Sequence, residues 1–250
     1  MNGRKMDEMP IEFDILYEDA ELLIVDKPAH LLVHPSKPDG PPTLWHGLRA
    51  LLAYELATGG QISIVNRLDR ETSGVTVVAK SAVAARRLGR AMMRREIHKE
   101  YLAIARGWPE EDEFTVDVPI LRAGEVDTSA VYVKQLAHAQ GRPCRTVVKV
   151  EKRWSREGSP FCLARAFPET GRMHQIRVHL AHAGHPLVGD KIYTNDGADY
   201  LEFLETGWTP ALAERLLLDR HALHSAAIII DGDRWECPLP KDMREWMQSD

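Results

Sequence analysis

The chain has 250 residues, 44% apolar and 28% charged, enough apolar content for a sizeable core and an ordinary charge load for a protein facing water. Its net charge of −5 argues against a chain that coats nucleic acid over its whole surface, yet the charge is uneven. Residues 61–100 carry nine Lys/Arg against four Asp/Glu, and residues 110–127 carry seven acids against one Arg, so one basic face can still meet a polyanion. Cys144, Cys162 and Cys237 are far apart, with no C-x-x-C. That argues against a disulfide framework or zinc ribbon and fits a reducing, cytoplasmic setting. The first fourteen residues, MNGRKMDEMPIEFD, lack the apolar core of a signal peptide, and no apolar run reaches the length of a membrane span.

In chain order, residues 1–10 read as a disordered tail. ILYED and ELLIVDKP then suggest two strands around an acidic turn, and SKPDGPPT is a Pro-rich loop. From Thr43 to Thr58 the spacing of Leu44, Leu48, Leu51, Leu52 and Leu56 predicts a helix, capped by Thr43 and stopped by Gly59-Gly60. ISIV and VTVVAKS read as strands. Ser81 caps a helix to about Arg95, with Val83, Leu88, Ala91 and Met92 as its apolar stripe and Arg86, Arg87, Arg90, Arg94 and Arg95 opposite. HKEYLAIARG reads as a strand with Tyr101, Ala103 and Ala105 on one side. Strand-like pieces broken by Gly, Pro and charge fill 108–165, a pattern of antiparallel pairing. ETGRMHQIRVHLAHAG predicts a helix with Met173, Ile176, Leu180 and Ala183 inward, closed by Gly184. HPLVGDKIY reads as a loop and strand start. Residues 195–220 read as helical, broken at Pro210, and HALHSAAIII and RWECPLP as final strands.

Between ISIV and VTVVA lies NRLDRETSG, residues 66–74. An aspartate in a turn beside arginines is ordinarily a solvated feature. Here strands flank it closely, Arg67 and Arg70 bracket Asp69, and Thr72-Ser73-Gly74 offers small side chains beside it. A carboxylate held between guanidiniums stays ionised and oriented, which suits a nucleophile or a base.

RLDRETSGV resembles the R-L-D-x-x-T-S-G-[LV] signature of the RluA-type RNA pseudouridine synthases. DKPAHLLVHP, HKEYLAIARG, the long block ETGRMHQIRVHLAHAGHPLVGDKIY and LHSAAIII resemble further segments of that family, in its order, over about residues 12–240. The resemblance implies an isomerase that converts uridine to pseudouridine in RNA, without cofactor or metal, after flipping the target base out of its stack. It implies that Asp69 is the essential aspartate and that Tyr101 stacks on the target base and assists proton removal at carbon 5. It further implies that Arg177 pairs with the aspartate and that Arg67 helps hold the flipped nucleotide. The expected fold is α+β: one catalytic domain over 11–250, without a separate N-terminal RNA-binding domain, built on a bent, mixed, mostly antiparallel sheet flanked by helices with a cleft across it.

Arg70, Arg172, His174 and Gln175 are expected beside the RNA, and Arg86, Arg90 and Arg94, at i, i+4 spacing, are expected to contact phosphates rather than only water. His174, His179, His182 and His185 are spaced so that no pair shares a helix face at i, i+4, and no metal site is expected. The expected partner is a structured rRNA or tRNA stem-loop, met by a monomer. An inactive RNA-binding protein of the same fold is one alternative. A nucleoside hydrolase is another, but it needs a second carboxylate that is not recognisable here. Two positions depart from the family: Asn66 stands where His is common, and His30 where Gly is common, so His30 is expected to carry a mildly strained left-handed backbone.

Overall fold

Residues 11–37 and 39–248 are described by the computed structural model; the tail expected at 1–10 lies outside them. The strands β1 (Asp14–Glu18) and β2 (Leu22–Lys27) form an antiparallel hairpin. Asp19 closes it by accepting the backbone N–H groups of Glu21 and Leu22 at 2.7 and 2.6 Å. The helix expected over 43–58 is two helices, α1 (Leu44–Leu51) and α2 (Ala53–Ala57), because Leu52 leaves helical geometry at φ −97°, ψ 28°. The strand β3 is only Ser63–Ile64, and β4 runs Ser73–Ala79.

Ser81 Oγ accepts the Ala84 N–H and starts α3 (Ala82–Met93). Its buried stripe is Ala84, Leu88 and Ala91, and Val83, expected inward, is 65% exposed. The strand β5 (His98–Arg106) follows, then β6 (Glu113–Asp117), β7 (Ile120–Arg122), β8 (Gln135–Ala137), β9 (Arg145–Arg156) and β10 (Ser159–Pro168). Glu157 and Gly158, both at positive φ, make the tight β9–β10 turn. The helix expected from Glu169 begins only at α4 (Gln175–His182), because 169–174 form a turn that ends with His174 at φ 55°. HPLVGDKIY contributes one bridge, Leu187 to Ala105, and then turns instead of starting a strand. Pro210 is the first residue of α6 (Pro210–Leu216), after α5 (Ala198–Thr206). The final strands are β11 (Leu223–Ile230) and β12 (Asp233–Glu236), and an unanticipated helix, α7 (Lys241–Gln248), buries Met243 and Trp246.

Among the described residues the main sheet runs β1-β2-β4-β11-β5-β10-β9-β6, with β3 on β4 and β12 on β11; β7 and β8 form a separate ribbon. Every pairing is antiparallel except β4 with β11, where His224 faces Ser73 and Ser225 faces Gly74. Register shifts at Ser225/Ala227 and Leu163/Ala164 are bulges that bend the strands. This is the mixed, mostly antiparallel α+β architecture expected from the sequence.

Pairing register assigns the faces. Tyr101, Ser225 and Gly74 are paired neighbours, so they share one face, and there α4 lays Ile176 and Leu180 on Tyr101, Ala103 and Ala105. On the opposite face α3 packs Leu88 and Ala91 against Val75, Val77 and Ile228, and α7 packs Trp246 near Ile104 and Phe161. No helix of the described residues is long and apolar enough to cross a membrane.

The parallel joint is tight. Gly74 sits at φ 113°, and a Cβ there would lie 2.2 Å from the Ser225 carbonyl oxygen. Gly74→Ala is therefore expected to destabilise the fold by about 3 kcal/mol or more, from combined backbone strain and overlap. Urea unfolding of the variant checks this, and an unchanged midpoint would refute it.

Candidate active site

The loop between β3 and β4 carries NRLDRETSG, and almost every residue in it is tied down from a distance. Asn66 is buried; its amide donates to Val75 O at 3.0 Å and its oxygen accepts the Val77 N–H at 2.8 Å. It clips the entry of the loop to the backbone of β4, so the departure from His preserves a positioning role. The buried Lys27 ammonium donates to the carbonyls of Pro28, Leu31 and Arg70. Glu71 takes Lys191 Nζ at 2.8 Å and the His221 N–H at 3.1 Å. Thr72 Oγ1 lies 2.7 Å from His221 Nε2, and Ser73 Oγ 2.9 Å from His224 Nδ1.

Asp69 is the reactive-looking group this scaffold presents. Arg177 Nη1 donates to Asp69 Oδ2 at 2.9 Å. The same guanidinium grips Asp190 in a fork, Nε to Oδ2 at 2.7 Å and Nη2 to Oδ1 at 2.9 Å. Asp190 Oδ1 is itself fixed by the backbone N–H groups of Ile192 and Tyr193. Burial pushes the Asp69 carboxyl up, but the fields of His174, Arg177 and His221 and the Arg177 hydrogen bond outweigh it, leaving the group near 2. Burial, then Arg177, pushes His174 down to about 4, so at neutral pH it is uncharged and Arg177 is the standing cation. His174 Nε2 is 3.8 Å from Asp69, and its Nδ1 is 2.8 Å from Tyr193 Oη.

Asp69, Tyr101 and Arg177 line one cleft together with Arg67, Arg172, His174, Gln175, Lys99 and Thr72. Tyr101 is buried, and burial raises its phenol to about 12, so at neutral pH it is protonated. Lys99 donates to Thr170 O at 3.0 Å, and burial lowers its ammonium to about 8. The cleft thus joins an ionised, oriented carboxylate, a flat aromatic wall and several cations, a set suited to polar chemistry on a ring carried by a polyanion.

Three expectations need correction. Among the described residues neither Arg67 nor Arg70 pairs with Asp69; the guanidinium that does is Arg177, 108 residues away in sequence. Arg70 is exposed and donates to His30 O at 3.3 Å. His30 does adopt the left-handed backbone, at φ 63°. Gln175 is spent on the protein: its amide donates to Arg145 O and Thr146 Oγ1, and its oxygen accepts from Thr170 Oγ1 and the Arg172 N–H. Arg86, Arg90 and Arg94 are exposed but ride on α3, which packs on the sheet face opposite Tyr101.

Asp190, Tyr193, Glu71, Lys99 and His221 were not singled out from the sequence. The first two lie inside the GDKIY end of the long block, and Lys99 precedes Tyr101 by two, so position within the motifs was the available signal. His221 had none, because its partners are 149 and 150 residues away. His174, His179 and His185 have separate partners, Tyr193, Thr146 and Arg106, and no metal-holding group of His, Cys, Asp and Glu exists among the described residues.

The shift of Asp69 has a definite sign. Its native value lies below the ordinary 3.8, so its ionisation stabilises the fold above that pH, and the contribution is lost as pH falls toward 2. Arg177→Gln removes one of the opposing cations and its hydrogen bond while the burial, His174 and His221 remain. The Asp69 carboxyl should then titrate higher than in the unaltered chain, and the stability gained on its ionisation should shrink. Carboxyl NMR titration with urea unfolding between about pH 3 and 6 tests this, and an unmoved Asp69 titration would refute the assignment.

Residues 21–182 match the RNA pseudouridylate synthase family. The ribosomal large subunit pseudouridine synthase D of Nitrosomonas europaea is 37% identical over 250 residues, covering 96% of this chain and 65% of that protein. Its namesake in Escherichia coli K12 is 36% identical over 255 residues, covering 98% of this chain and 72% of that protein. Among solved structures, Human RNA Pseudouridylate Synthase Domain Containing 4 superposes with a TM-score of 0.71 at 24% identity, covering 94% of this chain and 91% of that one, a likeness of fold. Matched along 162 of its residues and related at this level over nearly its full length, the chain belongs to the RNA pseudouridylate synthase family, isomerases that convert uridine to pseudouridine in RNA.

Proposed function

We propose that residues 11–250 form one catalytic domain that isomerises a specific uridine in a structured RNA stem-loop, with Asp69 as the essential group, acting as a monomer in the cytoplasm. The observation that carries this reading is the Arg177-bound Asp69 carboxylate beside Tyr101 in a cation-lined cleft. The name of the relatives, large ribosomal subunit synthases, favours rRNA over tRNA as the substrate class.

The reaction is an internal exchange. The bond from uracil N1 to the sugar breaks, a bond from carbon 5 to the same sugar carbon forms, the carbon 5 proton leaves and N1 gains one. Atoms and electrons balance without an added reactant. Asp69 must be ionised whether it attacks a sugar carbon or removes a sugar proton, and Arg177 keeps it so. Tyr101 supplies a flat wall for the extruded base. Being protonated at neutral pH, its phenol can accept the carbon 5 proton only as its own proton leaves for another base. Lys99, Arg67 and Arg172 supply cations for the phosphates on either side of the flipped nucleotide.

The hydrolase alternative lacks its second acid. Asp69 is the one carboxylate lining the cleft among the described residues; Asp190 is locked to Arg177, and Glu71 to Lys191 and His221. The inactive-binder alternative leaves the buried Arg177 arrangement without a purpose.

Asp69→Asn should lower modification by at least about 100-fold while the fold persists, since it removes charge and little volume. Primer-extension mapping of pseudouridine in RNA incubated with the variant, alongside circular dichroism, is the measurement. Full modification by a folded variant would end the proposal.

A further inference from the structure

Behind the aspartate loop, a chain of polar side chains ends at the wall of the cleft. Glu71 Oε1 takes Lys191 Nζ at 2.8 Å, and Glu71 Oε2 lies 3.2 Å from His221 Nδ1. On the far side of that ring, His221 Nε2 lies 2.7 Å from Thr72 Oγ1. Thr72, His221 and Lys191 are all buried. The Lys191 ammonium is also seated 5.0 and 5.5 Å from the ring centroids of Phe203, on α5, and Trp208, just beyond it. Among the described residues Thr72 Oγ1 has no hydrogen-bond partner other than His221.

The order of donors along this chain is forced. Burial pushes the Glu71 carboxyl up, but His221 and Lys191 outweigh it, so Glu71 is an ionised acceptor. Burial, then Arg177, pushes the His221 imidazole down, so at neutral pH the ring is uncharged and only one of its nitrogens carries a proton. A carboxylate can only accept, so that proton sits on Nδ1 and leaves Nε2 bare. The Thr72 hydroxyl must then donate to Nε2. Its oxygen keeps unused lone pairs, on a side chain that lines the cleft beside Asp69.

What Thr72 accepts follows from its place. Its backbone N–H bonds to the Asp69 carbonyl at 3.2 Å, whereas the wall for the base, Tyr101, comes from β5. Asp69 acts at the sugar in either of its two roles, and the sugar donor nearest the exchanging bond is the 2′-hydroxyl, on the adjoining carbon. We propose that Thr72 accepts a hydrogen bond from the 2′-hydroxyl of the target nucleotide, and that His221 is the positioning residue that turns the Thr72 hydroxyl to receive it. This rests on the cleft being the uridine site. The contact gives a preference for ribose over deoxyribose at that one nucleotide, because the 2′-hydroxyl is what separates the two. Lys191 and Glu71 hold the His221 ring in the tautomer this requires.

The test uses the full chain and a fragment of the RNA it modifies, made with ribose, 2′-deoxyribose or 2′-fluororibose at the one target uridine. The unaltered chain should bind the ribose form about fivefold more tightly than the deoxy form, the worth of one hydrogen bond. The 2′-fluoro form, which cannot donate, should bind like the deoxy form. Thr72→Val should lose the ribose preference and Thr72→Ser recover it. His221→Leu should lose it as well, while His221→Gln, which offers a donor to Glu71 and an acceptor to Thr72, should recover it. A mere anchor of the loop would weaken all three forms alike and leave the preference intact. A preference that persists in Thr72→Val would overturn the proposal, and one that persists in His221→Leu would overturn the role of His221. If either variant fails to fold by circular dichroism, the unaltered chain decides, since equal binding of the ribose and 2′-fluoro forms overturns the contact. If the unaltered chain modifies neither transcribed large-subunit rRNA nor tRNA, the proposed function fails first and this assignment falls with it. Modification without the ribose preference leaves that function standing.

Discussion

One guanidinium shared by two carboxylates organises the centre of this molecule. Arg177 is buried, forked onto Asp190 and joined by its third nitrogen to Asp69. A buried ion cluster of this kind adds little net stability, but losing one partner strands an uncompensated charge. Its value is directional. The planar fork allows one orientation on Asp190, and that orientation aims Nη1 at Asp69, which a lysine could not reproduce. The local backbone follows from this need: α4 starts late, after a left-handed His174, and the chain turns at Asp190 so that two backbone N–H groups reach its carboxylate.

Much of this was readable in the residues. Alternation in HKEYLAIARG assigned Tyr101, Ala103 and Ala105 to one face, and Ser81 announced α3, because both signals are local. Asp69 stood out since a charge between two apolar runs is hard to explain as core. The identity of its partner was less accessible. Arg67 and Arg70 are neighbours in sequence, but a turn directs adjacent side chains apart, and the true partner arrives from another element. Gln175 looked free for RNA because its four hydrogen-bonding partners lie on residues up to 30 positions away. The helix α7 carries a helical spacing in Met243, Trp246 and Met247, but over only eight residues at the end of the chain, too short a window to stand out beside the strand-like RWECPLP.

The arginines of α3 carry a separate lesson. Their spacing correctly described an exposed basic stripe, but a stripe has no address until the sheet face under the helix is known. Strand register supplies it: Val75 and Val77 alternate with Gly74 and Thr76, and α3 covers the former. The cations near the cleft come instead from scattered positions, Arg67, Lys99 and Arg172, which no window along the sequence groups together.

The anchors of the aspartate loop also set an order of events during folding. Thr72, Ser73 and Val75 are held by His221, His224 and Ser225, each 149 to 151 residues further along. Contacts at such separation close a long loop of chain before they return any stabilisation, and they form late. The loop beside Asp69 is anchored by His221, His224 and Ser225, while Asp69 itself is held by Arg177 from α4, so its position requires both distant segments in place. Competence for chemistry is thus a property of the assembled whole, acquired at the closing step, and a partly folded chain carries the motif without the site.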